Sequence, residues 1–201
     1  AFENARAFLA DAPKRLAIVL GVDSYDAGAT ISWLDAGRQL HAAYNAWGFV
    51  PGAAAGACLV CHPRHALSGR SMVKVEDLAL AQEEAPIKSD DVCLGRTLTT
   101  LVERLADDDP FDTLYCDLNG EVYRSDELGF MLSRSSRRFR EPGVFCAPAD
   151  CWGDVGAASL PLFAALATQA ATRGYGRGPL SLLLAGSEGG LRAGLRLRAK
   201  S

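Results

Sequence analysis

Gly48-Phe-Val-Pro-Gly-Ala-Ala-Ala-Gly-Ala-Cys-Leu-Val60 opens as a turn and closes as a strand. Glycine and proline punctuate Gly48 to Gly52, and the run from Ala55 to Cys61 is continuously apolar with small residues at its start. Leu16-Ala-Ile-Val-Leu20-Gly has the same character upstream. Continuous rather than alternating hydrophobicity predicts a strand buried on both faces, as in a sheet covered by helices. Before it, Ala5, Phe8, Leu9 and Ala12 fall at helical spacing within Glu3 to Pro13. Between the two runs, Asp23 to Gly37 is turn-rich, with a short helical piece around Ile31 to Ala36.

Downstream, strands and helices alternate. Met72 to Leu80 reads as a strand with Val73 and Val75 on one face, and Pro86 to Asp91 as a linker. Ser89 and Asp90 are N-cap types, and Val92, Leu94, Leu98, Leu101, Val102 and Leu105 form the apolar stripe of the helix they introduce. Asp107-Asp-Asp-Pro110 stops it. Phe111 to Leu118 is a strand, Asn119-Gly120 a tight turn, and Ser125 to Leu132 a short helix with Ser125 as cap. Gly143 to Pro148 reads as a strand and alanine-rich Gly156 to Thr172 as a helix stopped by Gly174. Pro179 to Ala185 and Leu191 to Arg198 close the chain as a hairpin across Gly-Ser-Glu-Gly-Gly. This alternation predicts an α/β fold.

Composition narrows the class. The 201 residues are 49% hydrophobic and 22% charged, which excludes disorder. Apolar runs such as Leu180 to Gly186 fall far short of the roughly 18–20 residues a membrane span needs. No charged-then-apolar leader marks the chain for secretion. Twenty-one basic and 24 acidic residues leave a net charge of −3, which argues against a nucleic-acid partner. Local basic stretches are Arg134, Arg137, Arg138 and Arg140, and Arg192, Arg196, Arg198 and Lys200. Six irregularly spaced cysteines do not make a disulfide framework, so a reducing cytoplasm is the expected compartment. The chain begins with Ala1, which leaves a processed piece or a fragment as an expectation.

Four stretches, in order, resemble the thiolase-like superfamily, specifically the β-ketoacyl (3-oxoacyl-ACP) synthase branch. Leu20-Gly-Val-Asp23-Ser looks like the segment after the nucleophile helix. Gly48 to Val60 looks like the D-G-F-V-x-G-E-G-A-G-x-L-V-L stretch, and Gly153-Asp-Val-Gly156-Ala-Ala-Ser159 like the G-H-x-x-G-A-A-G helix start. Gly186-Ser-Glu-Gly189-Gly190-Leu-Arg-Ala looks like the G-F-G-G-x-N-A turn before the last strand. The resemblance implies a layered αβα fold that lacks the first strands of its N-terminal half, with residues 1–65 completing that half and 66–201 forming the C-terminal one. It implies no cofactor and no metal. Its substrates are thioesters of acyl carrier protein or CoA, and its partners a second copy or a synthase-like chain.

The chemistry departs from the family. None of the six cysteines occupies the nucleophile's place at the start of a buried helix. Asn119, in Asp117-Leu-Asn119-Gly120-Glu121, stands where one catalytic histidine belongs, and Asp154 where the other does; Ala53 replaces a glutamate. Asn119 retains the ability to donate to a carbonyl oxygen, whereas an ionised Asp154 does not. The Gly186, Ser187, Gly189, Gly190 turn is the expected substrate-binding segment, with a backbone donor toward the thioester oxygen, or else a plain hairpin turn. The Arg134–Arg140 run is either a solvated loop or a docking patch for an acidic carrier protein. Two functions follow: acyl condensation or transfer with the cysteine supplied elsewhere, or a non-catalytic acyl-binding or synthase-partner subunit.

Other constellations compete. Cys58-Leu-Val-Cys61-His62 spells the haem c attachment motif, and His65 adds a fourth zinc-type ligand. On a strand, however, residues 58 and 61 point to opposite faces, so structural cysteines are expected. His41 reads as a surface or packing residue, Cys116 as a core residue, and Cys151 as the best thiol candidate because it precedes a helix. Asp117 to Gly120 only faintly matches a calcium loop.

Overall fold

The computed structural model describes residues 1–12, 14–65, 73–87 and 91–199. Helix α1 (Phe2–Asp11) leads into β1 (Leu16–Ser24), which pairs antiparallel with β2 (Ala53–Cys61) across α2 (Gly28–Ala36) and a looped segment. The rest builds a mixed five-stranded sheet from β3 (Val73–Gln82), β4 (Thr113–Tyr115), β5 (Phe145–Cys146), β6 (Leu180–Gly186) and β7 (Leu191–Ala199). Its order is β3-β7-β6-β4-β5, antiparallel across β3-β7-β6 and parallel across β6-β4-β5. The helices α3 (Arg96–Leu105), α4 (Val122–Arg134), α5 (Ala149–Trp152) and α6 (Ser159–Arg173) connect these strands.

Strand β6 explains the layering. Leu180, Leu182 and Leu184 enter one core with Leu98, Leu101 and Leu105 of α3 and Leu128 and Met131 of α4. Leu183 enters another with Phe163, Ala164 and Ala167 of α6, Phe2 and Ala5 of α1, and Val19 of β1. Helices therefore cover both faces of the five-stranded sheet, and the β1–β2 sheet closes over α6. The segments before and after residue 66 share this second core.

Several elements differ from the sequence expectation. Val92 and Leu94 lie outside α3 and are exposed, because the helix starts at Arg96 behind Gly95, which is left-handed. Ser125 is an interior residue of α4, and its hydroxyl donates to Glu121 O at 3.0 Å instead of capping. Strand β1 is buried on one face only: Leu16, Ile18, Leu20 and Val22 are 58–74% exposed, and Leu59 of β2 is exposed beside them. A run apolar on both faces carries no record of which face a neighbour covers. Pro13, Met72, Ser89, Asp90 and Lys200 lie outside the described residues. Among those described, no helix is long and apolar enough to cross a membrane.

The basic C-terminal stretch is turned inward. A bulge between Val75 and Asp77 puts the extra residue, Glu76, beside Arg196 and Arg198 of β7. Arg196, 4% exposed, donates to Glu76 at 2.9 Å, to Leu105 O at 3.0 Å and to Asp107; Arg198 reaches Glu76 at 2.9 Å and Asp109 at 3.1 Å. The aspartate run after α3 thus neutralises arginines of β7. Burial alone would raise the Glu76 carboxyl, but hydrogen bonds from Arg198 and Arg196 outweigh it and hold the group below the ordinary value of 4.5. Hydrogen bonds from Arg138 and Arg196 likewise lower Glu103 and Asp107.

A carboxylate with a lowered folded pKa contributes stability that is present above its unfolded pKa and lost as pH falls. The urea midpoint should therefore drop steadily as the pH is taken below about 4.5. Glu76→Gln should lower stability at pH 7 by about 1–3 kcal/mol and flatten that acid limb. Glu127, raised by burial, acts in the opposite sense, so the difference between wild type and Glu76→Gln isolates the lowered group.

Candidate functional site

The four stretches that carry the resemblance meet in space. Val50 to Gly52 runs against Asp154, with Asp154 N donating to Val50 O at 2.7 Å and Gly52 N to Asp154 O at 2.8 Å. The crossing requires glycine on both sides. A Cβ at Gly52 would lie 2.4 Å from Trp152 O, and one at Gly153, at φ 77°, would lie 2.8 Å from Val50 O. The close approach that these glycines allow is between two backbone segments. Asp23 at the end of β1 accepts from Ala157 N at 2.9 Å, and Tyr25 stacks edge-on against Phe49 at 5.6 Å.

Asn119 and Asp154 are brought together. Asn119 Nδ2 donates to Asp154 Oδ2 at 2.7 Å and to Glu121 Oε2 at 3.0 Å, while Asn119 Oδ1 accepts from Glu121 N at 3.1 Å. Both amide hydrogens are engaged. Asp154 Oδ1 accepts from Gly156 N at 2.8 Å, at the entry to α6.

Arg124, in the first turn of α4, is the residue sequence reasoning missed. Its guanidinium donates to Asp117 at 2.6 Å and to Glu121 at 3.1 Å, and Asp117 also accepts from Gly186 N at 2.7 Å. Burial alone would lower the Arg124 pKa, but Asp117, Asp154 and Glu121 outweigh it and keep the group charged. A cation therefore does sit among the acids of Asp117 to Glu121, and it is an arginine. The only sequence signal for it was the Glu121–Arg124 spacing of three within a helix. Tyr25 is pushed up to about 12 by burial and by Asp154 and Asp23, so its phenol stays protonated at neutral pH.

The glycine turn is largely self-satisfied. Gly186 N is held by Asp117, Ser187 N donates to Leu191 O at 2.9 Å, and Gly190 N donates to Ser187 O at 3.0 Å. Gly189 O accepts from Gln82 at 2.8 Å. Among the Arg134–Arg140 run, Arg134 donates to Leu94 O, Arg138 pairs with Glu103 at 2.7 Å and Arg140 with Asp112 at 2.8 Å. Arg137 is exposed, and the described residues offer it no ion-pair partner.

The cysteines stand apart from the Asn119–Asp154 contact. Cys58 is half-buried, its Sγ donating to Pro161 O at 3.3 Å, and burial raises its thiol. Cys116 is buried at the end of β4, and burial pushes its thiol up to about 12. Cys151 is exposed on the four-residue α5. Within the described residues, no third metal-type ligand joins Cys58 or Cys61. His41 is exposed, its Nδ1 3.2 Å from Ala46 O.

No protein-family model and no curated protein matches the sequence. Solved structures match over the whole chain. A chain of a type II PKS acyl-carrier protein in complex with its ketosynthase, bound to the hexaketide, gives a TM-score of 0.80 at 11% identity, with 60% of that chain covered. The ketosynthase from module 6 of the bacillaene synthase of Bacillus subtilis 168 gives 0.76 at 12% identity and 45% coverage. The ishigamide ketosynthase/chain length factor gives 0.68 at 18% identity and 54% coverage. The chain thus spans about half the length of the ketosynthase structures it matches. Its fold is the thiolase-like fold of ketosynthase domains.

Replacing Arg124 with methionine leaves Asp117, Glu121 and Asp154 without their cation. The expected loss is roughly 2–3 kcal/mol, because the pair is only partly buried. Urea unfolding checks it, and a loss below 0.5 kcal/mol, about the level of an exposed pair, would make the network incidental.

Proposed function

We propose that the chain serves as a non-condensing partner of a synthase-like subunit in acyl-thioester metabolism of the fatty-acid or polyketide type. The observation that carries this reading is Asn119, whose two amide hydrogens are directed at Asp154 and Glu121. A condensing site needs donors aimed at the thioester oxygen where negative charge develops. A carboxylate at position 154 accepts and does not donate. Three carboxylates face one guanidinium here, an environment that would repel both a malonyl carboxylate and an oxyanion. The buried, unactivated Cys116 offers no substitute nucleophile.

The outward face of the β1–β2 sheet supports the partner half of the reading. Leu16, Ile18, Leu20, Val22 and Leu59 form an exposed apolar face of the kind another polypeptide covers. Thioester-bearing partners are acyl carrier protein or CoA, and a contact with an acidic carrier protein would draw most on Arg137.

Incubated with acyl and malonyl thioesters of carrier protein and of CoA, the chain should give no condensed product above a protein-free blank by mass spectrometry. Co-expressed with a competent synthase subunit, it should co-purify, and the pair Ile18→Lys and Val22→Lys should abolish that association while leaving thermal unfolding of the chain unchanged. Condensed product formed in proportion to the chain would overturn the reading.

A second reading, acyl-chain binding, has its own observation. An apolar groove of about 390 Å³ lies between α1, β2, β3 and α6, lined by Phe2, Leu9, Val60, Val73, Leu78 and Leu197. That volume suits a small hydrophobic ligand. Cys58, Cys61 and His62 also line it, whereas Asn119, Asp154 and the Gly186–Gly190 turn do not. A fluorescent long-chain fatty acid should bind and be weakened at least tenfold by Ala10→Trp, which fills the mouth from an exposed helix position. Equal binding by both proteins would place the ligand elsewhere.

A further inference from the structure

Behind the Arg124 network, three ligand-type side chains from separate elements converge. Glu83 follows β3, Cys93 lies in the loop before α3, and Glu127 sits in the second turn of α4. A carboxylate oxygen of each glutamate and the Cys93 Sγ lie within 4.8 Å of one another, and all three residues are buried. Glu83 is 7% exposed. Its Oε1 accepts from Ala85 N at 3.2 Å, but its Oε2 is fully buried with no hydrogen-bond partner. Glu127, 6% exposed, is held by Arg192 at 2.8 Å.

The charge does not close. Two buried carboxylates face one buried guanidinium, and an uncompensated buried charge with an unsatisfied oxygen is among the costliest features a fold can carry. We propose that Glu83, Cys93 and Glu127 form a zinc-class divalent metal site, with a fourth position left for water. Two carboxylates and a thiolate bring −3, the metal +2 and Arg192 +1, so the sum is zero. Binding displaces the Cys93 thiol proton to solvent and turns the unpartnered Glu83 Oε2 into a ligand.

The donor set and its surroundings agree. One thiolate with two carboxylates suits zinc better than magnesium or calcium, which take oxygen alone. Zn–S near 2.3 Å and Zn–O near 2.0 Å put tetrahedral ligands roughly 3.5 Å apart, so this set must contract by about 1.3 Å at most. Tyr123 supplies an outer shell: its hydroxyl donates to Ala85 O at 2.8 Å and accepts at 2.8 Å from Arg192, the partner of Glu127. A bound metal would tie the end of β3 and the entry to α3 onto α4.

The test uses the full chain, stripped with chelator and titrated with Zn²⁺ and separately with Co²⁺. One metal per chain is expected, and Co²⁺ should show thiolate-to-cobalt charge-transfer absorption. Glu83→Gln should weaken Zn²⁺ binding at least tenfold. Cys93→Asp should retain Co²⁺ but lose the charge-transfer band, a readout that a merely unfolded variant does not give. Binding below one equivalent, the same affinity in Glu83→Gln, or a Co²⁺ spectrum without the sulfur band in wild type would each overturn the assignment. The wild-type cobalt spectrum decides the matter even if both variants fail to fold.

Discussion

The crossing of Val50–Gly52 with Trp152–Asp154 is the constraint on which the rest of the site depends. Two backbone segments about a hundred residues apart in sequence exchange hydrogen bonds at 2.7 and 2.8 Å, with no side chain between them. Only glycine at positions 52 and 153 permits that approach. The contact fixes Asp154 at the entry to α6, and Asp154 in turn fixes Asn119 through a 2.7 Å hydrogen bond. Asn119 and Glu121 then set the first turn of α4, from which Arg124 reaches back to Asp117 and, through it, to Gly186 of β6. One steric requirement thus propagates as a chain of polar contacts across five segments.

That chain also explains where the charge of the protein went. The C-terminal basic stretch apparent in the sequence is not a surface footprint, because Arg192, Arg196 and Arg198 each meet carboxylates from β3, α4 or the aspartate run after α3. Buried guanidinium groups are tolerable only with partners. The Glu83, Cys93, Glu127 cluster differs from these sites in one respect: Glu83 Oε2 is buried and has no hydrogen-bond partner.

Much of the architecture was legible because it rests on local patterns. The β6–β7 hairpin, the alanine-rich α6 with Gly174 after it, and the alternation of strands and helices all follow from periodicity and glycine placement. What failed to read was relational. The run Leu16 to Leu20 is apolar on both faces, and exposure of one face depends on what lies opposite, which no window of β1 records. Ser125 has the chemistry of a cap, yet α4 begins one turn earlier because Glu121 and Arg124 pair across that turn. In the site, Asn119 and Asp154 were found through the positions of family histidines, whereas Arg124 and Tyr25 occupy no motif. Glu83, Cys93 and Glu127 have no metal-ligand spacing at all. Their relation exists only after β3, α3 and α4 have packed.

The split between a persistent fold and an altered site has a physical basis. Glycines at 52 and 153 answer to backbone sterics, so any substitution there opens the crossing whatever chemistry the site performs. The positions of Asn119 and Asp154 answer to different demands: once a thioester need not be polarised, any pair that satisfies the buried polar groups will serve. Asn119 does so completely, with its oxygen and both amide hydrogens bonded. A side chain so fully satisfied gains stability from its neighbours and has nothing left to offer a transition state, because catalysis requires donors that find their best partner only when charge develops. The same contacts that make this network a sound structural element therefore argue against its being a condensing centre.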